Sequence, residues 1–184
     1  MRSLNIVVVL FLLVSSFSQV LSQNVRCEEL TKKEELYMYN NGVFTGTCES
    51  LGATGNVTMR CDYQNGKIDG LFTIFFPNGK PQSETHYKQG KFEGMRTLWY
   101  ESGTKMSEEI YVGDYKNGLS IYYHTNGKVE SKGNFTDCKE VGEWIFYHPN
   151  GNISKTGEYK DGIPTGEWKL YKEDGTFDKK EVYK

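Results

Sequence analysis

The 184-residue chain balances 22 Lys and Arg against 24 Asp and Glu, for a formal net charge of −2. That balance excludes the basic footprint of a nucleic-acid binder. Twenty Gly, 13 Tyr, 10 Phe and only 4 Pro exclude a helical bundle and a disordered chain, and favour many short strands joined by tight turns.

The first element is an address. Met1-Arg2-Ser3 gives a positive start, Ile6 to Val14 is an unbroken apolar run, and Ser15 to Ser22 is small and polar. This pattern predicts a secretory signal peptide over 1–22, cut between Ser22 and Gln23. The run falls short of the ~20 apolar residues a bilayer span needs. A secreted, envelope or periplasmic product is expected, in a compartment that permits disulfides. Residues 23–36 form a polar arm. Its Thr31-x-x-Glu34 is a candidate capping box, so the arm is read as a short helix or strap capping the open first strand.

From Tyr37 onward the chain repeats every 24 residues without insertion or deletion. The copies start at Gly46, Gly70, Gly94, Gly118, Gly142 and Gly166. An aromatic series keeps the same step: Tyr63, Tyr87, Tyr111, Phe135, Tyr159 and Tyr183. Asn78-Gly79, Asn126-Gly127 and Asn150-Gly151 read as two-residue hairpin turns, and Asn65-Gly66, Gln89-Gly90 and Asp161-Gly162 as a second turn series half a period away. Two strands and two turns account for one period. The fold expected for 37–184 is therefore all-β: an elongated, single-layer antiparallel meander of about twelve strands, roughly 55–60 Å long.

Register follows from the turns. Gly70 then faces Tyr87 and Gly94 faces Tyr111, and an aromatic ring lying over each cross-strand glycine is the expected contact. Phe72, Ile74, Phe76, Tyr87, Trp144, Phe146, Ile153 and Tyr159 share one face, taken as the packed side. The other face carries a stripe of Trp99, Tyr123, Tyr147 and Tyr171. Such a ladder stabilises a sheet by itself, and it is also the candidate contact surface for a partner.

Four cysteines invite pairing. Cys48 and Cys61 stand directly opposite in the first hairpin, so a Cys48–Cys61 disulfide is expected, with Cys27 an alternative partner for either. Cys138, at a distant turn tip, is left free or bonded to another chain. His124 and His148 occupy one slot in neighbouring copies, ~9.6 Å apart, which is too far to share a metal. They read as solvated strand-end residues. No nucleophile–base arrangement, phosphate loop or metal-ligand spacing can be assembled. The reading is a non-enzyme without cofactor, metal or small-molecule substrate. The sequons at Asn56, Asn134 and Asn152 matter only in a eukaryotic secretory path.

Gly142-Glu-Trp-Ile-Phe-Tyr-His-Pro-Asn-Gly151 and Gly166-Glu-Trp-Lys-Leu-Tyr-Lys-Glu-Asp-Gly175 resemble the MORN repeat, and more closely its variant in proteins labelled YwqK-family antitoxins. Gly157-Glu-Tyr-Lys-Asp-Gly162 completes that pattern. The early copies depart from it: Cys48, Phe72, Arg96 and Ser120 stand where Trp144 and Trp168 stand later. The resemblance implies a twisted hairpin array that contacts proteins or lipid surfaces, and the antitoxin label implies neutralising a partner. The expected function is an exported protein-binding surface, antitoxin- or immunity-like in kind; the rival is a structural scaffold at a membrane surface.

Overall fold

The computed structural model describes residues 23–184. The expected signal peptide lies outside them. Sixteen strands follow in order: β1 (Gln23–Arg26), β2 (Thr31–Lys33), β3 (Leu36–Tyr39), β4 (Gly42–Val43), β5 (Gly46–Leu51), β6 (Val57–Gln64), β7 (Lys67–Phe75) and β8 (Pro81–Lys88), then β9 (Lys91–Trp99), β10 (Lys105–Val112), β11 (Tyr115–Tyr123), β12 (Val129–Thr136), β13 (Lys139–Tyr147), β14 (Ile153–Lys160), β15 (Ile163–Tyr171) and β16 (Phe177–Tyr183). Strands β5 to β16 form one antiparallel meander in sequence order, twelve strands in an open sheet. The expected all-β hairpin array is what the chain builds.

The arm departs from its expectation in one respect. Thr31-x-x-Glu34 does not start a helix: Thr31–Lys33 is a strand and Glu34 turns the chain at φ 54°. Among the described residues the single helical turn comes earlier, at Cys27–Glu29. Before it, β1 pairs in parallel with the outer edge of β5, so the meander's first edge is not left open. Strands β2, β3 and β4 make a separate small sheet. Its Tyr37 and Tyr39 pack with Phe44, Tyr63, Val25 and Leu30 over the first hairpin.

The two turn series differ in kind. Asn65, Gln89, Asp114, Asp137 and Asp161 have positive φ, as do Gly66, Gly90, Gly113, Cys138 and Gly162. These are two-residue loops in which both residues are left-handed. The Asn78-Gly79 series is not of that type, which corrects the sequence reading. Gly79 N–H donates to the Phe76 carbonyl, and Phe76 N–H to the Lys80 carbonyl. The loop is thus three residues, with Gly79 alone at positive φ (80°). Pro77, whose ring fixes φ near −65°, suits the first turn position and cannot take a left-handed one. Within this hairpin the expected register holds along the strands and shifts by one at the loop, where Phe75 meets Pro81; the alternate pairs shift in mid-strand, as between Cys61 and Tyr63.

Side-chain size alternates between strands. On one face the first strand of each copy presents large residues (Phe72, Ile74, Leu98, Tyr122, Trp144, Phe146, Trp168). The second strand presents small ones beside them (Ser83, Thr85, Ser107, Ser131, Gly133, Gly157). Ridges therefore roof furrows, and one sheet buries part of its own face. Trp144 and Trp168 are buried this way, with Phe135 packed against Trp144 and Tyr159 touching both indoles. A Cβ on Gly133 or Gly157 would overlap the indole of Trp144 or Trp168.

The glycine–tyrosine pairs form in the expected register: Gly70 with Tyr87, Gly94 with Tyr111, Gly118 with Phe135. The expected ring-over-glycine contact, however, belongs to Gly133 and Gly157. Gly70, Gly94 and Gly118 instead take φ between 104° and 125° at a bulge, and a Cβ there would point at Asp62, His86 and Ile110 on the opposite face.

Candidate interaction face

The roofed face carries an almost continuous aromatic network. Phe72, Tyr87, Phe92 and Tyr111 touch edge-on in series, with centroids 4.8–5.8 Å apart. Further along, Trp144 contacts Tyr122, Phe135, Phe146 and Tyr159, and Trp168 contacts Phe146, Tyr159 and Tyr183. Lys155 Nζ lies 4.2 Å from the Phe146 centroid, within cation–π range.

The network is interrupted where the repeat pattern fails. Arg96 and Ser120 fill the slot that Trp144 and Trp168 hold in later copies, and Glu109 fills the slot of Gly133 and Gly157. Arg96 and Ser120 are the cross-strand partners of Glu109, one on each side. An ionic pair thus replaces the indole-on-glycine contact. Glu109 is 5% exposed. Its carboxylate accepts from Lys116 Nζ at 2.8 Å and from the Tyr111 hydroxyl at 3.1 Å. Lys116 also donates to the Tyr122 hydroxyl at 2.9 Å and lies 4.6 Å from the Phe135 centroid. Burial pulls the Lys116 ammonium down, but Glu109 and Tyr122 outweigh it and hold its pKa above the ordinary value. Burial raises the Tyr122 hydroxyl.

Arg96 is the surplus cation. Its guanidinium reaches Glu109 only at 3.8 Å, and its Nε is buried without a partner. The hydroxyls of Ser107 and Ser120, on residues 2% and 0% exposed, are likewise unpartnered. Beside Arg96 lies a groove of about 490 Å³. Ile74, Phe76, Leu98, Tyr100 and Met106 wall it, Gln82 and Ser83 give it polar groups, and Glu101 lines it too. That volume is within the range of ligand sites.

The sequence-predicted stripe is placed differently. Trp99, Tyr123, Tyr147 and Tyr171 are half-buried at the loop ends of their strands, away from the dense aromatic packing. Tyr171 packs edge-on with Phe177, Tyr123 donates to Glu108, and Lys132 sits 6.0 Å from the Tyr147 centroid. Trp99 borders the groove. Sequence reasoning missed Arg96, Glu109 and Lys116, although the substitution of Arg for Trp in the repeat slot was the signal that could have found them.

His124 and His148 are not merely solvated. Each Nε2 donates to the carbonyl 23 residues on, of Tyr147 at 3.0 Å and Tyr171 at 2.9 Å. Tyr100 does the same to Tyr123 at 3.1 Å. These bonds fix the ring tautomer with the proton on Nε2. Among the described residues no three metal-ligating side chains converge.

The disulfide is a correction. Cys48 and Cys61 are cross-strand partners as expected, but the bond joins Cys27 to Cys48, with Cα atoms 4.9 Å apart. The parallel seat of β1 and the turn at Cys27–Glu29 bring Cys27 onto Cys48, and Cys48 has one sulfur to give. Cys61 remains a buried thiol and Cys138 an exposed one. Cys138 Sγ accepts from Lys116 N–H at 3.2 Å.

The fold and this face define a class: an all-β protein of tandem hairpin repeats with a self-roofed face. Residues 68–89, 116–137 and 140–161 match the family model of the MORN repeat variant. No curated protein matches the chain. The copy that carries Arg96 lies between matched segments.

Proposed function

We propose that this is an exported, non-enzymatic repeat protein that uses its roofed aromatic face to bind another polypeptide. The carrying observation is the interruption at Arg96, Glu109 and Ser120. Copies that only had to pack would keep the Trp-on-Gly contact, which buries more apolar area than an ionic pair with unpartnered donors. Retaining charge there is a cost to stability that a binding role explains. The repeat match supports a structural or binding role. The Cys27–Cys48 bond supports an oxidising compartment outside the cytosol. Neutralising a partner, in the manner of an immunity protein, is the finer form of this reading.

Affinity capture from envelope extract of the source cell tests it. Bait carrying Arg96→Glu with Leu98→Asp should lose a partner that the wild type retains. A parallel bait with Trp99, Tyr123 and Tyr147 changed to Ala tests the stripe. Retention of the same partner by the Arg96/Leu98 bait would sink the roofed face as the site. The rival, a scaffold at a membrane surface, predicts co-flotation with liposomes. The acidic balance of the chain argues for weak adhesion to anionic lipid, so strong flotation with anionic vesicles would favour the rival.

A further inference from the structure

We infer that the groove beside Arg96 receives a short peptide segment in which one acidic residue stands next to apolar ones, its carboxylate bonding to the Arg96 guanidinium. The inference rests on the binding reading above and names the chemistry of the partner. Three observations converge on it.

First, the charge count around Glu109 leaves a cation over. Lys116 and Tyr111 already donate to the Glu109 carboxylate. Arg96 stands off at 3.8 Å with its Nε unpartnered. A guanidinium presents a planar fork of donors that matches a carboxylate in bidentate fashion. Its side chain is 33% exposed although Nε is buried, so the two terminal amines are the part of the fork that a ligand can meet.

Second, the groove next to that fork is walled by side chains that favour apolar company: Ile74, Phe76, Leu98, Tyr100 and Met106. Ile74 is 37% exposed, so part of this wall is open to a ligand. The groove lies along β8, whose small Ser83 forms a furrow between the large residues of β7 and β9. A furrow along a strand suits an extended chain better than a compact molecule. Gln82 and Ser83 offer amide and hydroxyl groups to its backbone.

Third, the polar lining is asymmetric. Arg96 and Glu101 both line the groove and lie five positions apart in sequence. A carboxylate is drawn to the first and repelled by the second, which sets the direction of the segment and selects for a single acid rather than an acidic run.

The test uses the full chain and three capped tripeptides: Leu-Glu-Leu, Leu-Gln-Leu and Leu-Lys-Leu. NMR follows the Arg96 Nε–H signal and the methyl groups of Leu98 and Met106. The Glu peptide should move all three signals together with a Kd of about 1 mM or tighter. The Gln peptide should bind about tenfold more weakly, and the Lys peptide more weakly still. Arg96→Gln should remove the difference between Glu and Gln, and Arg96→Lys should restore part of it. Glu109 keeps Lys116 and Tyr111 in both variants, and the wild-type Glu/Gln comparison needs no variant at all. Equal affinity for Glu and Gln peptides would overturn carboxylate recognition and leave the binding face itself standing. Movement of none of the three signals by any peptide would overturn the groove as a peptide site, while the capture experiment decides the wider reading separately.

Discussion

Gly157 and Gly79 show how differently one residue type is used. Gly157 leaves room for the Trp168 indole, and Gly79 supplies a left-handed turn in open space. Gly157→Ala should therefore cost about 1–3 kcal/mol by overpacking, and Gly79→Ala about 1 kcal/mol through backbone strain. Chemical denaturation of both variants measures the difference. Cys61 is the second informative residue. Burial, and then the neighbouring Asp62 charge, push its thiol up to about 12 from 9.0, against a hydrogen bond with Tyr63. The folded state thus prefers the protonated thiol. The stability this contributes is whole below pH 9. It falls between pH 9 and 12, where the unfolded chain has lost the proton and the folded chain has not. The loss approaches about 1.4 kcal/mol per pH unit. Denaturation midpoints at about pH 8 and about pH 10.5 should differ for the wild type, and Cys61→Ala should shrink that difference. At neutral pH a thiol reagent should label Cys138 and spare Cys61.

At the scale of elements, the hairpins were legible and the arm was not. A fixed 24-residue step names the turns, and turns fix strand register, so β5 to β16 follow from spacing alone. The Asn-Gly pair alone does not give the loop type, which turns on Pro77 and Pro149: each stands at the first turn position and forbids a left-handed φ there. The parallel seat of β1 carries no periodic mark, and with it went the true partner of Cys48. The candidate site was half legible. Arg96 and Ser120 stood out as departures from the repeat, but the meaning of Arg96 depends on Glu109, which belongs to the next strand. If the arm is held chiefly by its cross-link, Cys27→Ser should cost about 3 kcal/mol, from a loop of sequence separation 21. Amide hydrogen exchange should then quicken in β1 and β5 and stay unchanged from β13 to β16.

Across the whole molecule, each copy packs only on its neighbours, and β5 stands eleven strand spacings from β16, roughly 53 Å. The two core clusters, around Cys61 and around Trp168, share no residue. Their contributions should accordingly add. Trp168→Ala should cost about 3–5 kcal/mol. Combined with Cys27→Ser, it should give the sum of the single losses within about 0.5 kcal/mol. A coupling well beyond that would mean the array behaves as one cooperative block.

The bonds from Tyr100, His124 and His148 end on main-chain carbonyls 23 residues ahead, and Asn78, Asn126 and Asn150 likewise reach the carbonyls of Glu101, Pro149 and Glu173. A carbonyl is supplied by every residue, whatever its side chain. The receiving copy is therefore indifferent to its own spelling: it can mutate freely on its faces and still be fastened to its predecessor. Such a joint lets tandem duplicates drift apart after they arise. One copy can depart from the rest, as the Arg96 copy does in sequence, without loosening the row in which it stands.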